Sequence, residues 1–229
     1  WKSAVLGVLN IGAFFAFLFI AAERLPGGVA AVVGGIQPLL IAVLASRVLP
    51  ERLTGRVIVA GVGGFVGVAL IVLRAQAGLD PIGIAAAVLG AVSMAGGVVL
   101  AKKWSDGHSP IATTSWQLIA GGLLLAVLTA IFEPLPAHAP SLGNIAGYAY
   151  LTLFGTALAY LLWFRGLKLL PTRIPAFLGL LSPIVALTIG ALAAHETLTW
   201  MQGVGVVLVF SSVVAVIVRP ATARAHRTA

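Results

Sequence analysis

The sequence predicts an all-α membrane protein, a polytopic helix bundle with eight spans, on the basis of three observations. The 229 residues are 60% hydrophobic and only 9% charged, and their mean hydropathy is +1.11. The apolar residues form long uninterrupted stretches, and the basic residues gather in alternate loops. Soluble globular domains have a much more polar composition, so a soluble fold does not fit this chain.

The eight apolar stretches have roughly 17 to 21 residues each, and none contains Asp, Glu, Lys or Arg. That length suits a helix crossing about 30 Å of hydrocarbon. Backbone polar groups in hydrocarbon must be satisfied within the segment, and the alternation of a β-barrel is absent, so each stretch is predicted to be a helix. In chain order the spans are Ser3–Ala22, Gly27–Ser46, Val57–Leu73, Ile82–Ala101, Ala112–Phe132, Asn144–Phe164, Ile174–Ala194 and Trp200–Val218.

The basic residues predict the orientation of the chain. Twelve of the 14 fall on the side that holds the N-terminus, and only Arg24 and Arg74 fall opposite. By the positive-inside rule both termini are cytoplasmic in a plasma (inner) membrane. The net charge of +8 then reflects loops beside an anionic leaflet, and no nucleic-acid partner is expected. The twelve are Lys2, Arg47, Arg52, Arg56, Lys102, Lys103, Arg165, Lys168, Arg173, Arg219, Arg224 and Arg227.

An internal repeat relates the two ends of the chain. Residues 10–73 align without a gap on residues 155–218, at a constant shift of 145. Spans one to three therefore correspond to spans six to eight, five helices later. Because five is odd, the two copies must cross the membrane in opposite directions, which makes an inverted repeat. Matched pairs include Pro26/Pro171, Gly34/Gly179, Pro38/Pro183, Glu51/Glu196 and Leu53/Leu198.

The repeat is lopsided, because the fourth and fifth spans have no counterparts at the same shift. The chain also begins with Trp1 rather than methionine. We expect a fragment that lacks about 70 N-terminal residues and two helices of a five-plus-five protein, since repeats in such folds come in complete pairs. Removal of a signal peptide is the alternative, although a signal supplies one short apolar region and not two spans.

Five segments resemble the EamA-type domain of the drug/metabolite transporter superfamily. They are IQPLLIAVLASRVLPERLTGRVIVAGVGG (36–64), LGAVSMAGGVVLAKK (89–103), TSWQLIAGGLLLA (114–126), LFGTALAYLLWFRGLKLLP (153–171) and LLSPIVALTIGALAAHETLTWMQGVGVVLV (180–209). The resemblance implies inverted EamA repeats around a central cavity for small organic solutes. It assigns 1–75 to the last three helices of repeat 1 and 80–219 to a complete five-helix repeat 2, followed by a basic cytoplasmic tail at 220–229.

Two Gly-x-x-x-Pro pairs mark the predicted cavity. Pro38 and Pro183 each lie four residues after a glycine, Gly34 or Gly179. Proline lacks an N–H and crowds the carbonyl four residues earlier, so each pair predicts a kink with a carbonyl exposed near mid-membrane. The polar residues Gln37 and Ser182 precede the prolines at equivalent positions and can hydrogen-bond a solute. The alternative is that the bends only shape the bundle.

Six further residues are predicted to line the cavity. Aromatic rings with a polar group suit amphipathic solutes, although aromatic residues near span ends also serve as interfacial anchors. The six are Asn10, Ser93, Met94, Gln117, Tyr160 and Trp163.

Glycines in the third and eighth spans predict close helix contacts. Gly63 and Gly67 are four residues apart, and Gly203 and Gly205 begin the eighth span. This spacing indicates a scaffold contact or a homodimer interface. Glu51 and Glu196 are expected to accept hydrogen bonds from N–H groups at the start of the next helix or to pair with a nearby base, with a gate as the alternative.

Taken together, these features predict a secondary transporter, with export favoured, that moves small organic solutes such as amino acids across a lipid bilayer by alternating access. Facilitated flux through a channel-like pore and an inactive fragment are the alternatives. An enzyme is not expected, because no span places a histidine or carboxylate beside Ser93, Ser182, Ser211 or Ser212. No cofactor or metal is predicted, since cysteine is absent and His108, His138, His195 and His226 occur singly.

Overall fold

The computed structural model describes residues 1–25, 27–72, 80–104, 109–133, 139–193 and 199–218. All regular secondary structure in these ranges is helical, which confirms the all-α prediction. Seven helical stretches of the described residues are long and apolar enough to cross a membrane, one of which, Val29–Val48, contains a short turn. Large apolar side chains are exposed along most of them, as expected for surfaces that face lipid rather than water.

Ten helices make up the described chain, and short breaks divide two of the predicted spans. Four helices are capped by the side chain of the residue just before their first residue, which is Asp80, Ser109, Ser141 or Thr199. The helices are α1 (Lys2–Arg24), α2 (Gly27–Gly34), α3 (Gln37–Val48), α4 (Gly55–Val72), α5 (Pro81–Lys103), α6 (Pro110–Phe132), α7 (Leu142–Leu169), α8 (Arg173–Leu178), α9 (Ser182–Ala193) and α10 (Trp200–Ile217).

Contacts between helix ends define two sides of the bundle. The Trp1 ring packs edge-on against Trp104, with centroids 5.3 Å apart, so the start of α1 meets the end of α5. At the other end of this pair, Arg24 lies 3.4 Å from Asp80. The two helices are therefore antiparallel. We refer to the end that holds Trp1 and Trp104 as the N-terminal side, and to the end that holds Arg24 and Asp80 as the opposite side.

The predicted seventh span, like the second, is helical but is not one continuous α-helix. A 3₁₀ turn at Gly179–Leu181 joins α8 to α9. The helix Arg173–Leu178, the turn and the helix Ser182–Ala193 follow one another without a gap, so the described residues 173–193 are helical throughout. Helix α9 continues to Ala193, and residues 194–198 lie outside the described chain. Eight complete spans remain a prediction.

Two pairs of features occur at positions related by the 145-residue shift. Helix α1 contains a π-helical segment at Val8–Ala13, and α7 contains one at Leu151–Leu158. Adding 145 to the first range gives 153–158, which lies inside the second segment. The break between α2 and α3 likewise matches the 3₁₀ turn before α9. A π segment adds a residue to the helical ladder at one point and is common at functional sites.

Helices α4 and α10 form a close interface through glycine. A Cβ on Gly67 would lie 2.8 Å from the carbonyl oxygen of Gly205, and a Cβ on Gly205 would lie 2.6 Å from that of Gly67. Only glycine permits backbones to approach this closely. The predicted scaffold contact between these two spans therefore exists within the chain, whereas a homodimer interface stays a prediction.

Candidate functional site

A cavity of about 530 Å³ lies between helices α1, α2, α3, α5 and α9. It falls within the usual range of small-molecule sites, about 300–1,000 Å³. Six residues predicted to line a cavity surround it, three from each repeat copy. They are Gly34, Gln37, Pro38, Gly179, Ser182 and Pro183.

Helix breaks position these residues. Helix α2 ends at Gly34, a turn follows at residues 35–36, and α3 begins at Gln37 with Pro38 in its first turn. Proline fits the first turn of a helix because the N–H that it lacks would have no intrahelical partner there. Gly179 begins the 3₁₀ turn and Pro183 follows Ser182 at the start of α9. A Cβ on Gly34 or Gly179 would meet no atom within 4 Å, so both glycines border open space.

The cavity wall is mostly apolar. Its larger side chains include Phe14, Leu18, Phe19, Val68 and Leu180. Gln37 and Ser182 are the two described lining residues with a polar side chain, and no described lining residue is charged. An apolar wall with a few polar groups orients an amphipathic ligand, and the aromatic rings offer flat contact area.

The side chains of Gln37 and Ser182 have no hydrogen-bond partner among the described residues. Gln37 is half-buried and Ser182 is exposed to the cavity. An amide or hydroxyl in an apolar wall is costly unless water or a ligand satisfies it. Both groups are therefore available to a solute or to its hydrating water.

The cavity lies in the half of the bundle away from the N-terminal side. Helices α1 and α5 contribute to it only through the parts that approach the opposite side, which are residues 14–22 and 87–91. Toward the N-terminal side, buried side chains of α3, α5, α7 and α8 fill the space below it. This apolar plug consists of Ile41, Ala45, Ala95, Val98, Val99, Phe164, Leu167 and Ala176.

The structure places three other predicted cavity residues, Met94, Tyr160 and Trp163, against the apolar plug and outside the cavity. Tyr160 stacks on Phe164, with ring centroids 5.8 Å apart. Helix α7, expected to border the cavity, contributes no described lining residue. The physical reason is that the aromatic face of α7 packs into the plug, which buries it away from the open space.

Asn10, Ser93 and Gln117 lie apart from the cavity, in a buried polar cluster between α1, α5 and α6. Asn10 is 0% exposed and Gln117 is 1% exposed. The Asn10 Nδ2 donates to Gln117 Oε1 at 2.9 Å, Gln117 Nε2 donates to the Thr113 carbonyl at 3.2 Å, and Ser93 Oγ donates to the Leu9 carbonyl at 2.8 Å. These side chains hold helices together because their partners are protein groups.

Small residues make this polar cluster compact. A Cβ on Gly97 would overlap the carboxamide of Asn10, so α5 meets α1 at a glycine notch. A Cβ on Gly121 would lie 2.6 Å from the Gly7 carbonyl oxygen, which brings α6 equally close to α1. Sequence reasoning passed over Gly97 and Gly121, although each lies within a Gly-Gly pair.

Sequence reasoning also missed the aromatic part of the cavity wall and the contacts of Glu51. Phe14, Leu18 and Phe19 recur at helical spacing in the first span, a signal that was available.

Glu51 accepts hydrogen bonds from the N–H of Thr172, at 2.8 Å, and from its Oγ1, also at 2.8 Å. The predicted acceptor role holds, but its partner starts α8 in the other repeat copy rather than the next helix. Glu196 lies outside the described residues.

Comparison with known proteins gives the fold and the family. One solved crystal structure matches with a TM-score of 0.81 at 20% identity, covering 95% of this chain and 76% of that one; at this identity the match supports the fold alone. Protein PecM of Dickeya dadantii is 44% identical over 218 residues, which is 94% of this chain and 73% of PecM. A Salmonella typhimurium protein named "Probable amino-acid metabolite efflux pump" is 30% identical over 210 residues, 86% of this chain and 70% of that protein.

The EamA-like transporter family profile matches residues 1–73 and 81–218, nearly the whole chain. The match agrees with the resemblance drawn from the motifs, and it describes a family of membrane transporters rather than enzymes. The chain belongs to the EamA-like transporter family and is a multi-pass membrane protein.

Proposed function

We propose that this protein is a secondary transporter of the plasma (inner) membrane that exports small organic solutes, amino acids or related metabolites among them, by alternating access. The observation that supports this most directly is the cavity between the two helix breaks, with Gln37 and Ser182 exposed to it and without protein partners among the described residues. An efflux role draws support from the relative named as an amino-acid metabolite efflux pump.

The charge of the wall narrows the solute class. No described lining residue is charged. Moving a neutral amide or hydroxyl from water into an apolar site without a hydrogen-bond partner costs about 2–7 kcal/mol, and an isolated charge without a counter-charge costs more. The solutes proposed are therefore those without net charge, which include amino acids because their ammonium and carboxylate are adjacent and serve as counter-charges for one another. An apolar or aromatic part would face Phe14 and Phe19, and a hydrogen-bonding group would face Gln37 or Ser182.

With both termini in the cytoplasm, as the basic loops predict, the cavity would face the exterior. Alternating access requires a second state in which the cavity communicates with the N-terminal side instead. None of the described lining residues could carry a proton as a carboxylate, so the solute's own gradient is proposed as the driving force.

Counterflow in proteoliposomes tests the proposal. Vesicles preloaded with an unlabelled neutral amino acid should accumulate the labelled form, saturably and faster than empty vesicles. Ser182→Ala should raise KM severalfold, whereas Ser211→Ala, which alters an exposed serine outside the cavity wall, should leave KM unchanged. A panel of neutral solutes with no saturable flux would overturn the proposal, and single-channel currents would identify a pore instead.

A further inference from the structure

Four segments of the chain meet at the N-terminal side, beyond the apolar plug. They are the end of α5, the connection between α3 and α4, the end of α7 and the start of α8. Two charged side chains, Lys102 and Glu51, join them through hydrogen bonds to main-chain groups and to a threonine. These contacts have no role in the cavity itself.

Lys102 holds the end of α7. Its Nζ donates to the carbonyl oxygens of Leu167, Lys168 and Leu170, each at 2.9 Å. A lysine ammonium has three protons, so these three carbonyls match its donors. The final carbonyls of a helix have no intrahelical donor and carry partial negative charge, which makes them suitable acceptors for a cation.

Glu51 holds the start of α8. One carboxylate oxygen accepts from both the N–H and the hydroxyl of Thr172, which is fully buried. Lys102 and Glu51 also attract one another electrostatically. The first repeat copy and α5 are thereby tied to α7 and α8 by five hydrogen bonds that involve a charged group.

The position of these bonds relative to the cavity suggests their role. From Ala91 at the cavity wall to Lys102, α5 runs about 16 Å at 1.5 Å per residue. The apolar plug lies between, and the same four helices α3, α5, α7 and α8 form it. Opening the cavity toward the N-terminal side requires α5 to separate from α7 and α8. The plug contributes no directional bond to this contact, so the five hydrogen bonds set the closed geometry.

We propose that Lys102 and Glu51, with Thr172 and the last carbonyls of α7, form a latch that holds the transporter closed on the N-terminal side. This inference rests on the proposed function. In the opposite state the latch is broken, the apolar plug parts, and Met94, Tyr160 and Trp163 line the cavity from the N-terminal side. Breaking bonds to charged groups shifts a two-state equilibrium by the difference in their free energies between the states.

Single-cysteine labelling tests the latch directly. The chain contains no cysteine, so an introduced thiol has no background. Met94→Cys places a reporter beside the plug, and Gly34→Cys places one in the open cavity, where a side chain meets nothing within 4 Å. A membrane-impermeant maleimide is applied from each side of oriented vesicles, with the N-terminal side identified by protease removal of an N-terminal tag.

Lys102→Met keeps the length of the side chain and removes the donors and the charge. It should raise labelling of the Met94→Cys reporter from the N-terminal side by about tenfold, the scale expected for loss of hydrogen bonds to a charged group. It should also lower labelling of the Gly34→Cys reporter from the opposite side. The matched control is Lys103→Met, the exposed neighbour, which should change neither rate.

Glu51→Ala and Glu51→Gln provide a second test, should Lys102→Met fail to fold. Alanine should open the latch, while glutamine keeps an acceptor oxygen and should restore most of the closed labelling pattern. Unchanged labelling of both reporters in folded Lys102→Met and Glu51→Ala would overturn the latch. Labelling does not depend on transport, so the latch and the proposed function can be tested separately. If Lys102→Met changes the labelling as expected but no solute flux is found, the proposed function is refuted and the latch is not.

Discussion

The two polar regions of this bundle look alike in the sequence but differ in how their side chains are satisfied. Asn10, Gln117 and Ser93 are buried and each makes a hydrogen bond to a protein group, although Asn10 Oδ1 has no partner among the described residues. Gln37 and Ser182 face a cavity, and neither side chain has a partner among the described residues. The difference shows that a polar residue in an apolar span has two uses. With a protein partner it fixes helix packing, and without one it is available to a solute.

The largest loss of stability is expected when the space beside Gly97 in the polar cluster is filled. Gly97→Ala places a Cβ on top of the Asn10 carboxamide, and overpacking of this kind costs about 1–3 kcal/mol. Thermal unfolding in detergent should show a clear drop in Tm. Gly96→Ala is the matched control, since its Cβ would meet nothing within 4 Å. Equal Tm values for the two variants would contradict the packing described for α1 and α5.

A smaller loss of stability is expected when one partner of the buried pair is removed. Asn10→Ala leaves Gln117 Oε1 without its donor in a site that is 1% exposed, while Gln117 Nε2 keeps its bond to the Thr113 carbonyl. The expected cost is about 1–2 kcal/mol, seen as a lower Tm. Because Asn10 is outside the cavity wall, the KM of the folded fraction should be unchanged. A change in KM at constant Tm would show that Asn10 contacts the solute and does not fix helix packing.

The opposite result, a change in KM without a change in stability, is expected for a residue of the cavity wall. Gln37→Ala removes an amide without a protein partner among the described residues, so the free energy of unfolding should stay within about 0.5 kcal/mol of the parent, as for substitutions away from structural contacts. KM should rise about fivefold to tenfold, the usual scale for one lost hydrogen bond to a ligand. Counterflow and thermal unfolding on the same preparation separate the two effects, and a large fall in Tm would show that Gln37 is structural.

The smallest effect on stability is expected at Asp80, at the exposed end of the contact between α1 and α5. The N–H groups of Gly83 and Ile82, together with Arg24, hold the pKa of Asp80 below its ordinary value. A lowered pKa stabilises the fold above the ordinary aspartate pKa, and this contribution is lost as the pH falls through that value toward the lowered one. In a plot of Tm against pH, Asp80→Asn should therefore reduce the fall in Tm at acid pH. Identical plots for the variant and the parent would show that Asp80 does not contribute to the pH dependence of stability.

Sequence reasoning reached the helical bundle, the family and half of the predicted cavity residues. Gly34, Pro38, Gly179 and Pro183 could be found because proline and glycine constrain the backbone locally. Gln37 and Ser182 followed from their place beside these breaks. Asn10 and Gln117 could not be separated from them, because a hydrogen bond between residues 107 positions apart depends on which helices pack together, and periodicity does not encode that.

The N-terminal side shows the same limit. The sequence predicts that Glu51 accepts hydrogen bonds from the start of the next helix or pairs with a nearby base, yet its partner Thr172 is 121 residues away. The partners of Lys102 are 65 to 68 residues away, and the sequence identifies Lys102 only as a basic residue at the end of a span. The Glu51 contact joins the first repeat to the second, whereas the Lys102 contacts join α5 to the end of α7 within the second repeat. Local sequence determines that a carboxylate or an ammonium is available near a helix end, whereas its partner depends on which ends are brought together.

From the sequence alone we could predict a helical membrane protein and the positions of two helix breaks, both of which the structure contains, and the 145-residue shift predicts that the two ends are inverted copies. Composition, length and proline act locally, so they can be read from the chain. The tertiary structure alone decided which polar side chains are satisfied by protein and which face open space, and on which side the cavity is closed. Those outcomes depend on contacts between residues far apart in the chain, which only the packed bundle brings together.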